Sequence, residues 1–425
     1  MHDPALFNVS AWYGRPPNHW RPTRFKHLFC EKRATSTPAF PPGAISFGAV
    51  VQKEMLNEDT LDSYQDVCAG DFLVNPINLN YDLKSLRTAL SDINVRVSPA
   101  YIVLRHREGN NPRYLRWLLH QFDVAHMKTL GAGVRQTITY PMMGECQVFV
   151  PPSTEQERIA NFLDEQTARI DALIAQKERL DGRLQEYRSS LISAAVTGQI
   201  GAEGVNDAGE AVCGADEGGV GMSTLTPFNS ALPTKPLKYL AALRGEKVEG
   251  VPADGLYIGL EQIESGTGRL SDVELQQQPE GSANVFEPSD VLFGKLRPYL
   301  AKGWTADRTG YCTTEALVLQ PLSAVPRFIR YCVLASEFIE AVNGSTYGSK
   351  MPRADWSFVG SVQIPCPNMA DQERIANFLD EQTTRIDALR HHVHTHISRL
   401  REYRSSLISA AVTGQLDLST FKAAA

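Results

Sequence analysis

The chain has 425 residues, of which 43% are apolar and 21% charged, with a formal net charge of −6. That length exceeds one compact core and suits two or three domains, and the apolar share excludes disorder as the default state. No apolar run approaches the roughly 20 residues that span a bilayer, and the N-terminal stretch MHDPALFNVSAWYGRPPNHW lacks the zones of a signal peptide, so a cytoplasmic protein is expected.

Seven cysteines (Cys30, Cys68, Cys146, Cys213, Cys312, Cys332, Cys366) are scattered and never form a CxxC pair, so they read as free thiols rather than a disulfide frame or a zinc cluster. The acidic balance argues mildly against nucleic acid, whose sequence-independent affinity comes from Lys and Arg. Its distribution weakens that argument. Residues 1–152 carry +3, and residues 200–224, with no Lys or Arg, carry −5, which leaves the folded parts near neutral.

In chain order, residues 1–152 form a first globular domain, with a strand at YIVL (101–104) and a helix at RYLRWLLHQF. Residues 153–199 form a long helix. Pro151-Pro152 stops what precedes it, Ser153 with Gln156 fits an N-terminal capping box, and Gly198 stands where a helix stops. Residues 200–224, rich in Gly, Ala and acids, read as a flexible tether. A second domain at 225–370 has strands at YIGL (257–260) and ALVLQ (316–320) and a helix over RFIRYCVLASEFIEAV. A second long helix at 371–416, bounded by Pro367-Asn368 and Gly414, and a tail at 417–425 complete the chain. Without regular strand-helix alternation the class is α+β.

The long helices are one sequence written twice: residues 156–200 and 372–416 agree at 33 of 45 positions. Apolar residues follow heptads, with Leu163, Ile170, Leu184 and Leu191 on one row and Ile159, Leu173, Leu180, Tyr187 and Ala194 on another. The second copy repeats these rows with Leu379, Ile386, Val393, Leu400 and Leu407, and with Ile375, Leu389, Tyr403 and Ala410. Each helix thus has a narrow seam, and the two are expected to pack on each other. Polar residues recur as well: Arg158 with Arg374, Asn161 with Asn377, Asp164 with Asp380, Arg169 with Arg385, and Arg188 with Arg404. A seam alone would leave such positions free to drift, so they are the candidates for contact with a partner read twice. Fainter repeats join the domains, such as GDFLV (70–74) with SDVLF (289–293) and NPRYLRWLL (111–119) with VPRFIRYCV (325–333).

No phosphate loop, dinucleotide fingerprint, HExxH or GxSxG is present. Asp71 with Asp82 and Lys84 is the nearest approach to a metal-nuclease site, but Asp82 and Lys84 have no counterpart in the second unit. The histidines 391, 392, 394 and 396 are replaced by other residues in the first helix and read as a solvated stretch, so no metal is expected. Cations interleaved with aromatics or amides suit phosphates and base edges. Such segments supply the DNA-contact candidates: Arg105, Arg107 and Asn110 in RHREGNNPR; Arg135 and Gln136 in GAGVRQT; Lys295, Arg297, Tyr299 and Lys302 in FGKLRPYLAKGW; and Tyr347, Lys350 and Arg353 in TYGSKMPR. The alternative for each is a solvated turn.

The order of a GD-type turn, an apolar strand, a Gly-rich basic loop, a proline stop, then EQERIANFLDEQTARIDAL and SSLISAAVTGQI, all repeated, strongly resembles the specificity subunit of type I restriction-modification systems. YIGLEQI followed by FGKLRPYL is similar to a recurrent form of target recognition domain in that family. The acidic stretch 201–224 departs from the pattern, in which a short link is usual. The resemblance implies two tandem α+β target recognition domains separated by two long antiparallel coiled-coil helices, a pseudo-two-fold duplication. Each domain would read half of an asymmetric bipartite DNA site. The helices would set the spacer and dock two methyltransferase subunits, which would bring S-adenosylmethionine. A restriction subunit with motor and nuclease activities would use ATP and magnesium, and this chain would hold no cofactor and catalyse nothing. The alternative is a scaffold that bridges two copies of a protein partner without touching DNA.

Overall fold

A computed structural model describes residues 12–418 except 47, 55–62, 78–85, 132–136, 200–231, 253–254, 272–280 and 347–350. The expected tether, Arg135, Gln136, Tyr347, Lys350, Asp82, Lys84 and most of the C-terminal tail lie outside the described residues. The chain packs as two compact units that do not follow the linear repeat: Met1–Glu178 joins Thr395–Ala425, and Arg179–His394 forms the other. The long helices run continuously over Ser153–Val196 and Met369–Val412. Each therefore gives its N-terminal half to the unit of its own domain and its C-terminal half to the other unit.

In the first unit a four-stranded antiparallel sheet has the order Phe29–Glu31, Ile102–His106, Phe72–Val74, Thr88–Leu90. The helix Pro112–Phe122 begins at Asn111, whose side chain accepts from the amides of Arg113 and Tyr114. Its apolar face (Tyr114, Leu115, Leu118, Phe122) joins Phe25, Phe29 and Phe72 in the core. Onto that core pack Ile159, Leu163 and Ile170 of the first helix, and Leu407, Ile408, Ala411 and Val412 from the end of the second.

In the second unit one four-stranded sheet has the order Ala241–Leu243, Ala316–Pro321, Val291–Gly294, Gly303–Thr305. Another has the order Lys247–Glu249, Ser282–Phe286, Gly310–Thr313, Tyr257–Ile258, the last pair parallel. Its main core gathers Phe293, Phe328 and Tyr331 with Ile375, Leu379 and Ile386 of the second helix, and with Leu191, Ile192, Ala195 and Val196 from the end of the first. The repeated SSLISAAV motif thus supplies apolar residues to the core of the unit that its own domain does not build.

Several local expectations need correction. The strand at Tyr257 is only Tyr257–Ile258, because the chain turns into a short 3-10 segment at Leu260–Gln262. The helix predicted over residues 327–342 is two, Pro326–Leu334 and Ser336–Gly344, broken at Ala335, where ψ is 143°. The break presents the Ser336 amide to Ser193 Oγ of the first long helix at 3.0 Å. Gln156 does not close a capping box, because its carbonyl accepts from the Asn111 amide at 2.8 Å and its amide donates to the Pro151 carbonyl. The second heptad row is buried at Ile159 and Ile375 but not along its length: Leu173, Leu180, Tyr187, Leu389 and Tyr403 are exposed. The first row is largely buried in both copies, as at Leu163, Ile170, Leu191, Leu379, Ile386 and Leu407.

Both long helices stop by the same hydrogen-bond pattern. Gly198 (φ +75°) and Gly414 (φ +73°) take the left-handed conformation. The next amides, of Gln199 and Gln415, reach back to the carbonyls of Ala194 and Ala410 at 2.9 and 2.8 Å. These are Schellman closures, for which glycine carries no Cβ penalty. The second helix starts on Asn368, whose side chain accepts from the Asp371 amide at 2.9 Å. Among the described residues no helix is long and apolar enough to cross a membrane.

Candidate partner and nucleic-acid interface

In each unit one helical aspartate gathers donors from the adjoining domain helix. Asp164 accepts from Arg113 Nε at 2.7 Å, Arg116 Nη2 at 2.5 Å and Trp117 Nε1 at 2.8 Å. Asp380 accepts from Arg327 Nη1 at 2.6 Å, Arg330 Nη2 at 2.7 Å and the Tyr331 hydroxyl at 2.6 Å. Burial alone would raise the Asp380 pKa, but the donors Tyr331, Arg327 and Arg330 reverse that push and hold it below its ordinary value. Two turns earlier on each helix, the buried Gln156 and Gln372 accept the amides of Asn111 and Val325 at 2.8 and 2.9 Å. The NPRYLRWLL and VPRFIRYCV helices are therefore docked by the same clamp on the same helical residues.

The helix halves within each unit are antiparallel and locked by one repeated ion pair, Arg404–Asp171 and Arg188–Asp387, and by a second pair at non-equivalent positions in each unit. In the first unit Arg404 meets Asp171 at 2.9 Å and Arg401 meets Glu178 at 2.9 Å. In the second, Arg188 meets Asp387 at 3.0 Å and Arg390 meets Asp181 at 2.8 Å. Arg188 is almost fully buried and also donates to the carbonyls of Gly266 and Thr267. Ser409 accepts from Gln121 Nε2 at 3.0 Å, and its counterpart Ser193 shares a 2.7 Å hydrogen bond with Ser336.

Of the residues expected to face a partner, Asp164, Asp380, Arg188 and Arg404 are thus engaged within the chain. Arg374 is half-buried and pairs with Asp371 at 2.6 Å. Arg158, Asn161, Asn377, Arg169 and Arg385 are exposed, the last two in i,i+4 pairs with Glu165 and Glu381. Exposed Leu173 and Tyr403 stand in the first unit and exposed Leu389 and Tyr187 in the second. The antiparallel register places each Leu near the level of its Tyr. Each unit therefore offers outward a leucine and a tyrosine of the repeat, flanked by the exposed arginines 169 and 399 or 385 and 183.

The DNA-contact candidates divide similarly. In the second unit the bridge between Leu296 and Arg353 brings FGKLRPYL and MPR side by side. Arg297 (φ 52°) and Tyr299 project there as exposed side chains, with Lys295 half-buried beside them. Arg353 makes a two-point contact with Glu315 at 2.9 and 3.1 Å. Lys302 donates to the Leu260 carbonyl, and burial lowers its pKa against the opposing pull of Glu261. In the first unit Arg105 is tied to Asp71 at 3.1 Å, Arg107 to the Lys26 carbonyl at 3.1 Å, and Asn110 to the Arg107 carbonyl at 3.4 Å.

Asp71 is buried and also accepts from Lys32 at 2.7 Å and from the Cys68 amide at 2.9 Å, a structural role. Asp290 of the repeated turn likewise accepts from Arg244 at 2.7 Å and from the Glu287 amide at 2.8 Å. Among the described residues no group of three or more His, Cys, Asp or Glu is placed to hold a metal. Reasoning from sequence missed Gln156, Gln372, Arg113, Arg327, Arg116 and Arg330. The signal for the four arginines was the Arg-x-x-Arg spacing shared by NPRYLRWLL and VPRFIRYCV.

Two unlike α+β domains, each clamped at the same residues of a duplicated helix, define a duplicated two-domain scaffold. No family model matches the chain. It is similar to the type I restriction enzyme EcoDI specificity subunit of Escherichia coli, with 22% identity over 320 residues, 71% of this chain and 70% of that one. A chain from a solved structure on the assembly and conformational transition of a type I restriction-modification system shares the fold, with 17% identity, a TM-score of 0.63, and coverage of 95% of this chain and 100% of that one. The HsdS subunit of Thermoanaerobacter tengcongensis matches with 17% identity, a TM-score of 0.46, and coverage of 95% and 98%. The resemblance to type I specificity subunits, read first from the repeated helix motifs, holds in sequence and in fold.

Proposed function

We propose that this chain is the DNA-specificity subunit of a type I restriction-modification complex, with each domain reading one half of an asymmetric bipartite site. The carrying observation is the contrast within the duplication. The clamp residues Gln156, Asp164 and Arg188 recur as Gln372, Asp380 and Arg404, while the domain surfaces they hold have diverged. Identical mounts under different readers suit two unlike half-sites, unlike the palindromes that symmetric dimers recognise.

The exposed repeat residues (Arg158, Asn161, Arg169, Asn377, Arg385 and the Leu–Tyr pairs) suit two copies of one methyltransferase subunit, and a restriction subunit joins that complex. S-adenosylmethionine, ATP and magnesium belong to those partners, and the target adenine is flipped into the methyltransferase. This chain serves as the non-catalytic reader, working in the cytoplasm. Arg297, Tyr299 and Lys295 are its best-placed DNA contacts in the second unit. Co-expression with the methyltransferase followed by genome-wide mapping of methylated adenines should return one bipartite, asymmetric motif. A complex that neither methylates nor binds DNA sinks the proposal, and stable capture of two partner copies without DNA binding favours the bridging scaffold.

A further inference from the structure

Residues 295–302 carry the exposed Arg297 and Tyr299 of the second unit on a single 3-10 turn, Pro298–Leu300. Both residues flanking that turn are left-handed without being glycine, Arg297 at φ 52° and Ala301 at φ 47°. Such backbone persists only where its surroundings over-determine it. On one side the Arg297 amide donates to the Pro352 carbonyl at 2.8 Å, and the Ala354 amide donates to the Lys295 carbonyl at 2.9 Å. On the other the Gly266 amide donates to the Ala301 carbonyl at 2.8 Å, beside a bridge between Ser265 and Lys302.

The turn that begins at Gly266 is itself gripped by both long helices. Arg188 of the first helix, almost fully buried, donates to the Gly266 and Thr267 carbonyls and pairs with Asp387 at 3.0 Å. Arg269 donates to Thr384 Oγ1 of the second helix at 3.2 Å and meets the same Asp387 at 3.4 Å. A second link starts at Ser193, whose Oγ accepts the Ser336 amide at 3.0 Å. The helix Ser336–Gly344 that begins there lies against Pro298–Leu300. The end of the first helix thus reaches the loop twice, from Arg188 through a turn and from Ser193 through a helix.

The counterparts in the first unit make other contacts. Arg404 pairs with Asp171, and its Nη1 has no acceptor among the described residues. Ser409 accepts from a side chain, Gln121 Nε2, rather than from a backbone amide.

We propose that Arg188 is a positioning residue for DNA specificity: through the Gly266–Thr267 turn it fixes the loop 295–302, so the half-site read by the second domain depends on it and the other half does not. The inference rests on the reading of this chain as a specificity subunit. A guanidinium suits the role because its planar fork serves two carbonyls and a carboxylate at once, whereas a lysine ammonium is a point charge on a flexible stem.

The test maps methylated adenines across the genome for the full chain co-expressed with its proposed methyltransferase partner. Arg297→Ala marks the half-site that the loop reads by relaxing discrimination there. Arg188→Lys keeps the charge beside Asp387 but not the fork, and should relax the same half about tenfold or more, within what one good base contact carries, with the other half unchanged. Gly266→Ala disturbs the turn from the domain side, because Gly266 has φ +70° while the added Cβ meets only Gln185 Nε2 at 3.5 Å, and should act on the same half. A merely structural role would lower methylation of an unaltered motif. That outcome, equal relaxation of both halves, or relaxation of the half that Arg297→Ala spares overturns the proposal, as does an unaltered motif in Arg297→Ala. A wild-type complex that neither methylates nor binds DNA overturns the specificity-subunit reading, whereas a wild-type motif that persists in Arg188→Lys and Gly266→Ala overturns this inference alone.

Discussion

At the residue scale, the polar identities of the repeat have a cause inside the chain as well as outside it. Gln372 is buried, and its carbonyl is the acceptor for the Val325 amide. Gln372→Ala should therefore cost about 1–3 kcal/mol, the penalty for stranding a buried donor, and Gln156→Ala a similar amount, both measurable by urea denaturation. Asp380 offers a pH test. Its folded pKa is lowered, so its contribution is present above the unfolded value of about 3.9 and is lost as pH falls through the folded pKa. Asp380→Asn should destabilise the protein at neutral pH and flatten the acid limb of its stability profile below about pH 4. An unchanged acid limb would show that the carboxylate is not held by Arg327, Arg330 and Tyr331.

At the element scale, the heptad pattern identified the helices but assigned too much of them to burial. A helix in a two-stranded coil needs one apolar stripe toward its mate, yet the ends of these helices are also covered by a domain, so the buried face widens there and includes Ala160, Thr167, Ala376 and Thr383. Leu173 and Leu389 lie outside it. Leu173→Ser with Leu389→Ser should leave stability within about 0.5 kcal/mol, as for surface changes generally, while weakening association with the proposed methyltransferase partner at least tenfold, as loss of an interface anchor does. Unimpaired assembly in co-purification would move the partner surface elsewhere on the helices. The strand at Tyr257 was cut short by a local 3-10 turn, and the helix over residues 327–342 was divided where a tertiary contact intervenes. Ala335 breaks a helix whose sequence is continuous because Ser193 receives the Ser336 amide there.

At the scale of the whole molecule, a helix of 44 residues is about 66 Å long, and its docking residues lie toward its two ends. The middle stretches, IAQKERLDG at 174–182 and RHHVHTHIS at 390–398, are where the copies differ. Deleting one heptad there from both helices removes about 10 Å of helix. It should shorten the unread spacer by about three base pairs, at 3.4 Å each, or abolish activity. A changed half-site with an intact spacer, read from methylation maps, would refute the role of the helices as a ruler. On the proposed reading, exchanging residues 1–150 for the first domain of a type I specificity subunit should alter one half of the motif and leave the other unchanged.

The sequence by itself determined the duplication, the long helices and their glycine stops, and the α+β class, because periodicity and repetition are local properties. It also carried the family resemblance through the motifs at both helix ends. Only the tertiary structure decided what the repeated polar residues touch. Asp164 and Arg113 are 51 residues apart, and Asp171 and Arg404 are separated by 233. No local pattern specifies such pairs, because a charged residue on a helix reads the same whether it faces water or a partner. The tertiary structure likewise decided the unit boundaries, since an antiparallel helix pair brings the end of each helix to the domain at the start of the other. It also separated Arg188, whose donors reach a domain turn, from Arg404, whose Nη1 finds no acceptor among the described residues: identical residues acquire different chemistry when the domains packed against them diverge.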